Sequence, residues 1–330
     1  MNRNVYIYAA TAAAIAFASA AAAKNWDDWS TPASIESLPG SSAAVNTPAV
    51  DGCASHSPDG LTLVFNSNRA GNFDLYMATR SSTNEGFGTP VRLPEPVNSS
   101  ANDACATIAN GHRLYFSSDR DDPSYDIYVS KLGPNGWSEP ENLGPNINTP
   151  GWLDEAAAFY EDGGDQVMLF SSRQAGGSGD GNIYQSVNGG PKSLVAGGPN
   201  SSASDNRPSV TRDGLTIFFD STRSGGLGGP DLYYATRSST SEPFGPAIHL
   251  AGLSSSVFDA RATISKDGSF LTFASQRPGG ESAAPDMYYT TRDKITGQEQ
   301  RGCAVPVAFG EATGASVRRS GRSRRPRRPR

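Results

Sequence analysis

The chain has 330 residues, 28 of them basic and 33 acidic, with 36 Gly, 23 Pro and 3 Cys. Setting aside the eight arginines of 318–330, Arg3 and Glu311 leaves 19 basic against 32 acidic residues across 24–310, a net of −13. So acidic a body excludes a nucleic-acid-binding face. The abundance of Gly and Pro fits an exported, loop-rich, all-β protein.

The first element is a leader. Arg3 precedes an uncharged run from Val5 to Ala20 and small residues up to Ala23, the layout of a secretory signal peptide over 1–23. An uncleaved anchor is the alternative. No later stretch has the roughly 20 apolar residues of a membrane helix. The mature chain is expected in the periplasm or outside the cell, with no transmembrane segment after cleavage.

Residues 28–34, DWSTPAS, match GWSEPEN at 136–142, yet nothing resembling a repeat precedes them. Everything that follows is repetitive. SPDGLTLVFNSNRAGNFDLYMATR (57–80) returns in four further versions, at 109–131, 161–186, 212–237 and 266–292. The opening acids Asp51, Asp103, Asp154, Asp205 and Asp259 are 52, 51, 51 and 54 residues apart. The core aromatics Phe65, Phe116, Phe170, Phe219 and Phe273 keep nearly the same period.

Each unit predicts four short strands. The first begins at the acid. A Gly-containing turn, Asp-Gly in most units, leads to the second strand around Phe, because such residues accept positive φ. A Gly-rich loop leads to the third (DLYMATR, DIYVSK, NIYQS, DLYYATR, DMYYTTR). The fourth is FGTPVRL, GWSEPENL or PFGPAIHL, with a weaker PKSLVAG, and its Pro suits an edge strand. No segment sustains helical periodicity. The fold expected is a five-bladed β-propeller of four-stranded antiparallel blades over 24–310. The fifth unit lacks a convincing fourth strand, so the N-terminal stretch near 28–38 is expected to supply it and close the ring; FGEATGASV (309–317) is the rival. Residues 311–330 read as a disordered Arg-rich tail.

SPDG (57–60), the F-x-S-x-R step (Phe65, Ser67, Arg69) and D-L-Y (74–76) resemble the WD40-like PD40 repeat of the TolB propeller and of OmpA-associated envelope proteins. WSEPENLGPNINTPGWLDE (137–155) is similar to the OmpA-associated version in particular. The resemblance spans 28–292 and implies the propeller fold. It implies an envelope protein or a glycan as partner. The TolB α/β domain and the peptidoglycan-binding domain are not legible here, so those two roles are not carried over. A monomer is expected.

Functional candidates lie where the units differ. The five aspartates form one ring, which reads either as a weak cation site or as five copies of a loop-tying device. Two residues after them stand Cys53, Cys105, Ala156, Arg207 and Arg261; Glu155 is the only acid one residue after. Trp152 occupies a place held elsewhere by Ala or Val. Trp152, Asp154, Glu155, Arg207 and Arg261 therefore form the expected ligand-binding set, suited to an anionic or sugar-like molecule. Some five-bladed propellers are glycosidases with carboxylates in the channel. By that analogy Glu155 would be the acid, with Asp51 or Asp205 as base, in a carbohydrate-active hydrolase or lyase. The main expectation is non-catalytic binding.

No nucleophile elbow, zinc-protease helix or phosphate loop is present, and no cofactor is expected. His56 replaces Ile108, Phe159, Val210 and Ile264, which predicts a packed strand residue. The arginines Arg69, Arg120, Arg223 and Arg277 are expected to pair with Asp74, Asp126, Asp231 and Asp286 inside each blade. The third unit has Gln174 and Asn182 at those places, and its loop GGSGDG (176–181) is expected to be the most mobile. Cys53 and Cys105 sit at one position in neighbouring blades and form a disulfide candidate, which leaves Cys303 unpaired.

Overall fold

A computed structural model describes residues 26–109, 112–174 and 181–295. The leader, Cys303, the 309–317 stretch, the arginine tail and most of GGSGDG lie outside the described residues.

Residues 26–294 form five antiparallel sheets around a channel. The first blade runs Asp51–His56, Thr62–Ser67, Asp74–Thr79 and Val91–Arg92. The second runs Asp103–Ala109, Arg113–Ser118, Asp126–Gly133 and Glu141–Asn142, and Gly136–Trp137 pairs beside its third strand. The third is Trp152–Asp162, Asp165–Gln174, Asn182–Val187 and Ser193–Leu194. The fourth is Asp205–Val210, Thr216–Ser221, Asp231–Thr236 and Ile248–His249. The fifth has Asp259–Ile264, Phe270–Ser275 and Asp286–Thr291. Its outer strand is Ala33–Ser34, which pairs with Tyr289 and Tyr288. DWSTPAS closes the ring, and even the weak PKSLVAG supplies an outer strand. The outer strands are two residues long because the preceding Pro cannot extend the ladder.

The core is divided into five apolar clusters, one at each junction between neighbouring blades. That division explains the buried second strands. TLVFNS at 62–67 buries all but its first residue, since both faces of a blade meet another sheet. In every blade the Phe of the second strand stacks on the Tyr of the third, with centroids 5.9 to 6.2 Å apart. Before four of the blades an Asn then clasps the backbone of the previous third strand, and Ser254 stands in before the fifth; Asn98 bonds both the N–H and the carbonyl of Leu75. Asn46 does this for Met287 across the closure.

Candidate functional site

The five aspartates that open the blades are fully buried. One oxygen of each meets a cation: Arg69, Arg120, Lys192, Arg223 and Arg277, at 2.5 to 2.9 Å. The other oxygen takes the backbone N–H of Thr47, Ser99, Thr149, Ser201 or Ser255. The carboxylates are thus spent on tying loops. Among the described residues no cluster of three or more His, Cys, Asp or Glu is placed to hold a metal ion.

This corrects the expected pairing of the loop arginines. Ser67 lies in register with both Asp51 and Asp74, so spacing alone offers Arg69 either acid. The guanidinium turns to Asp51 because that side also supplies the carbonyls of Ala44 and Val45. It also lies over the Phe65 and Tyr76 rings, at 5.5 and 4.8 Å. Asp74 instead binds Arg92, and Asp126 binds Asn142. Asp231 and Asp286 take the N–H groups of Leu227 and Glu281. The third blade lacks the arginine, and Lys192 reaches in from before its outer strand. Its Nζ meets Asp154, Ser172 Oγ and the Ile147 carbonyl and lies over Phe170 and Tyr184. A different residue thereby rebuilds the same clasp.

Two positions further on, every first strand bulges. The ladder slips between Gly52 and Ser55, and at the matching step in each blade. Cys53, Cys105, Ala156, Arg207 and Arg261 all have φ between 48° and 63°. In four junctions a second-strand side chain of the preceding blade accepts the amide of the bulged residue. Asn66 serves Cys105, Ser117 serves Ala156, Ser171 serves Arg207 and Asp220 serves Arg261. At the fifth, Ala274 has no acceptor to offer Cys53. The bulge turns all five side chains into the channel. There Cys53 and Cys105 are joined in a disulfide, with Cα atoms 4.9 Å apart, inside the bonding range.

Across the channel lies the charged half. Arg207 forks Asp220, with Nε and Nη2 at 3.0 and 2.7 Å from its oxygens, and Nη1 is 3.4 Å from Glu155 Oε1. Burial opposes the Arg207 charge, but Asp220 and Glu155 outweigh it and hold its pKa above the ordinary value. Arg261 is treated differently. Burial, then the charge of Arg207, lowers it to about 10, and its Nε and Nη1 are buried without a hydrogen-bond partner among the described residues. Tyr125 stands near, its phenol pushed up by burial and then by Asp119 and Glu155. Glu155 and Arg207 thus meet, with the Arg261 charge close to both. Asp154 does not join them, being held in its clasp, and Trp152 lies beside Lys192, whose Nζ is 5.7 Å from the ring centroid. Asp220 and Tyr125 were not foreseen; Asp220 is the only acid among Asn66, Ser117, Ser171 and Ala274 at the middle of F-x-S. Between the five bulged residues the channel keeps a space of about 20 Å³.

His56 is 6% exposed, bonds Thr272 Oγ1 at 3.1 Å and packs edge-on to Phe270. Burial, helped by the charge of Arg80, pushes its pKa down to about 3. The folded protein therefore keeps His56 neutral where the unfolded chain protonates it, and stability falls as pH drops from 6.5 toward 3. Asp286 opposes this: burial raises it to about 6, so its contribution falls as pH rises from 3.8 to 6. Comparison with His56→Val separates the two. In urea titrations the parent is expected to lose about 2–3 kcal/mol relative to the variant between pH 7 and 4.5. Parallel pH curves for the two proteins would contradict a neutral buried histidine.

Five blades with a closing N-terminal strand and a side-chain-filled channel define a five-bladed β-propeller. No protein family matches the chain, and no curated protein matches it. Solved structures do. The α-L-arabinofuranosidase of Podospora anserina in complex with cellotriose has a TM-score of 0.51 at 11% identity, covering 82% of this chain and 97% of that one. The α-L-arabinofuranosidase of Lactobacillus brevis has a TM-score of 0.50 at 11% identity, covering 75% and 91%. A putative TolB of Agrobacterium tumefaciens has a TM-score of 0.46 at 16% identity, covering 76% and 92%. At such identities the likeness is one of fold.

Proposed function

We propose that this protein is an exported, non-catalytic propeller that serves as a binding scaffold for a protein or glycan of the cell envelope. The observation that carries this is the state of the channel carboxylates. A glycosidase needs two carboxyl groups facing a sugar across roughly 5–10 Å of open site. Asp51 and Asp205 are instead fully buried, each bonded to an arginine and to a backbone N–H. Glu155 is itself buried and faces Arg207 Nη1 at 3.4 Å, with no second carboxyl group open to a sugar opposite it. The PD40-like signature and the Cys53–Cys105 disulfide support a periplasmic or extracellular place, where such bonds persist. The alternative is a carbohydrate-active hydrolase or lyase working from Glu155. The full-length protein is to be incubated with bacterial and plant polysaccharides and the products read by mass spectrometry. No shortened or unsaturated oligosaccharide is expected. A product that disappears with Glu155→Gln, the variant remaining folded, would establish the alternative.

A further inference from the structure

The larger openings lie away from this mouth, where the first strands end and turn into the second. A cavity of about 480 Å³ is bounded there by Ile108, Phe159, Glu161, Gln166, Arg212 and Lys266 among others. A second, of about 310 Å³, lies between the second and third blades and is bounded by Arg113, Val129, Lys131, Leu143, Phe159, Gln166 and Met168. Phe159 and Gln166 line both, so the two openings adjoin across that pair, and together they are termed the groove. The third blade builds its wall. Its first hairpin has strands of 11 and 10 residues, against six or seven elsewhere.

The charges along the groove run against those of the body. Four cations line it, Lys266, Arg212, Arg113 and Lys131, with one acid, Glu161, in a region of net charge −13 over 24–310. None of the four forms an ion pair among the described residues. Lys266 donates to the Phe159 carbonyl at 3.0 Å. Burial and the nearby Arg212 hold its pKa below the ordinary value, a cost that an anion would relieve. Glu141 stands near the outer end, beside Tyr115.

The walls choose among anions. A sugar docks best on an open aromatic face. Here Tyr115 and Phe159 pack on each other at 4.5 Å, and each is less than 10% exposed. Tyr160, the other aromatic of the lining, is 5% exposed, and the remaining large apolar residues are aliphatic, among them Ile108, Val129, Leu143 and Met168. We propose that this groove docks an extended acidic peptide segment of a partner protein, its carboxylates on the four cations and its apolar side chains against the aliphatic wall. This deepens the binding role proposed above and rests on it.

The test uses the full-length protein and fluorescein-labelled synthetic peptides of alternating Asp and Leu, with Lys-Leu and Asp-Ser counterparts, read by fluorescence anisotropy. The Asp-Leu peptide is expected to bind, and to weaken steeply as salt is raised. The other two peptides are expected to bind at least about tenfold more weakly. Arg113→Gln with Lys131→Gln removes two exposed charges without touching the core, and should weaken binding about tenfold. Arg212→Gln with Lys266→Gln should do the same; if that pair does not fold, the first pair decides. Lys294→Gln, which removes an exposed charge outside the groove, should change nothing. Binding that ignores the first pair, or no binding of the Asp-Leu peptide at all, overturns the proposal. So does polygalacturonate binding in its place with the same dependence on the cations, which would assign the groove to an acidic glycan. Turnover at Glu155 would sink the non-catalytic reading while leaving the peptide result as measured, so the two failures are distinct.

Discussion

Ile35→Asp is expected to abolish cooperative folding, although Ile35 is none of the functional candidates and lies within the first ten residues of the propeller. Ile35 is fully buried in the cluster that joins the last blade to the first, against the side of Phe270 and Met287. It follows directly on the Ala33–Ser34 strand that completes the last blade. Shortening a buried Ile to Ala costs about 2–5 kcal/mol. A carboxylate there adds the cost of an unpaired buried charge, several kcal/mol more. The sum approaches the whole stability of a typical domain, about 5–15 kcal/mol. Circular dichroism in urea measures it. A variant that unfolds with the parent's midpoint would show that the N-terminal strand is dispensable to the ring. Ile35→Ala, expected to fold with a lowered midpoint, grades the same effect.

The second large loss is expected from Asp205→Ala. Its removal strands the Arg223 guanidinium and leaves the Ser201 N–H and the hydroxyls of Ser201 and Ser221 without their acceptor. Breaking one side of a buried pair costs about 3–5 kcal/mol. Lys192→Met should cost a similar amount in the third blade by stranding Asp154, although no repeat pattern marks that lysine. The double change Asp205→Ala with Arg223→Met should cost less than the two single changes together, since it leaves no unpaired charge. Urea midpoints for the four proteins check this. Full additivity would mean that the cation and the acid act independently.

The architecture was legible because a propeller repeats its chemistry. Evenly spaced acids and phenylalanines mark five units, and DWSTPAS announces the missing outer strand. The pairing inside a blade was not legible. Asp51 and Asp74 flank the same serine, and only the third dimension shows which side also offers carbonyls. Lys192 was invisible for a related reason: it performs the arginine's task from a position outside the repeat. At the channel, Glu155, Arg207 and Arg261 stood out as breaks in symmetry. Asp220 broke it too, but inside a strand that reads as core. The groove has a signal in the sequence. Opening acid and core Phe are 16 residues apart in the third unit and 13 or 14 in the others. Seven residues after the acids stand Pro58, Asn110, Glu161, Arg212 and Lys266. Comparing the units at their far ends, as at their starts, exposes both.

The bulged residues of the first strands have a consequence for how such a chain changes over generations. Holding a non-glycine residue at φ near 50° costs about 1–2 kcal/mol, and this molecule carries that burden five times over. In return, one side chain per blade faces the bore while its neighbours pack the junctions. The bore is therefore a set of five sockets, and they differ in how freely they can be refilled. A replacement at Ala156 or Arg261 alters the size and charge of the passage without removing a side-chain bond, whereas Arg207 is tied to the buried Asp220 and the two cysteines to each other. Two cysteines, an alanine and two arginines are one filling of those sockets, on a frame that would hold others.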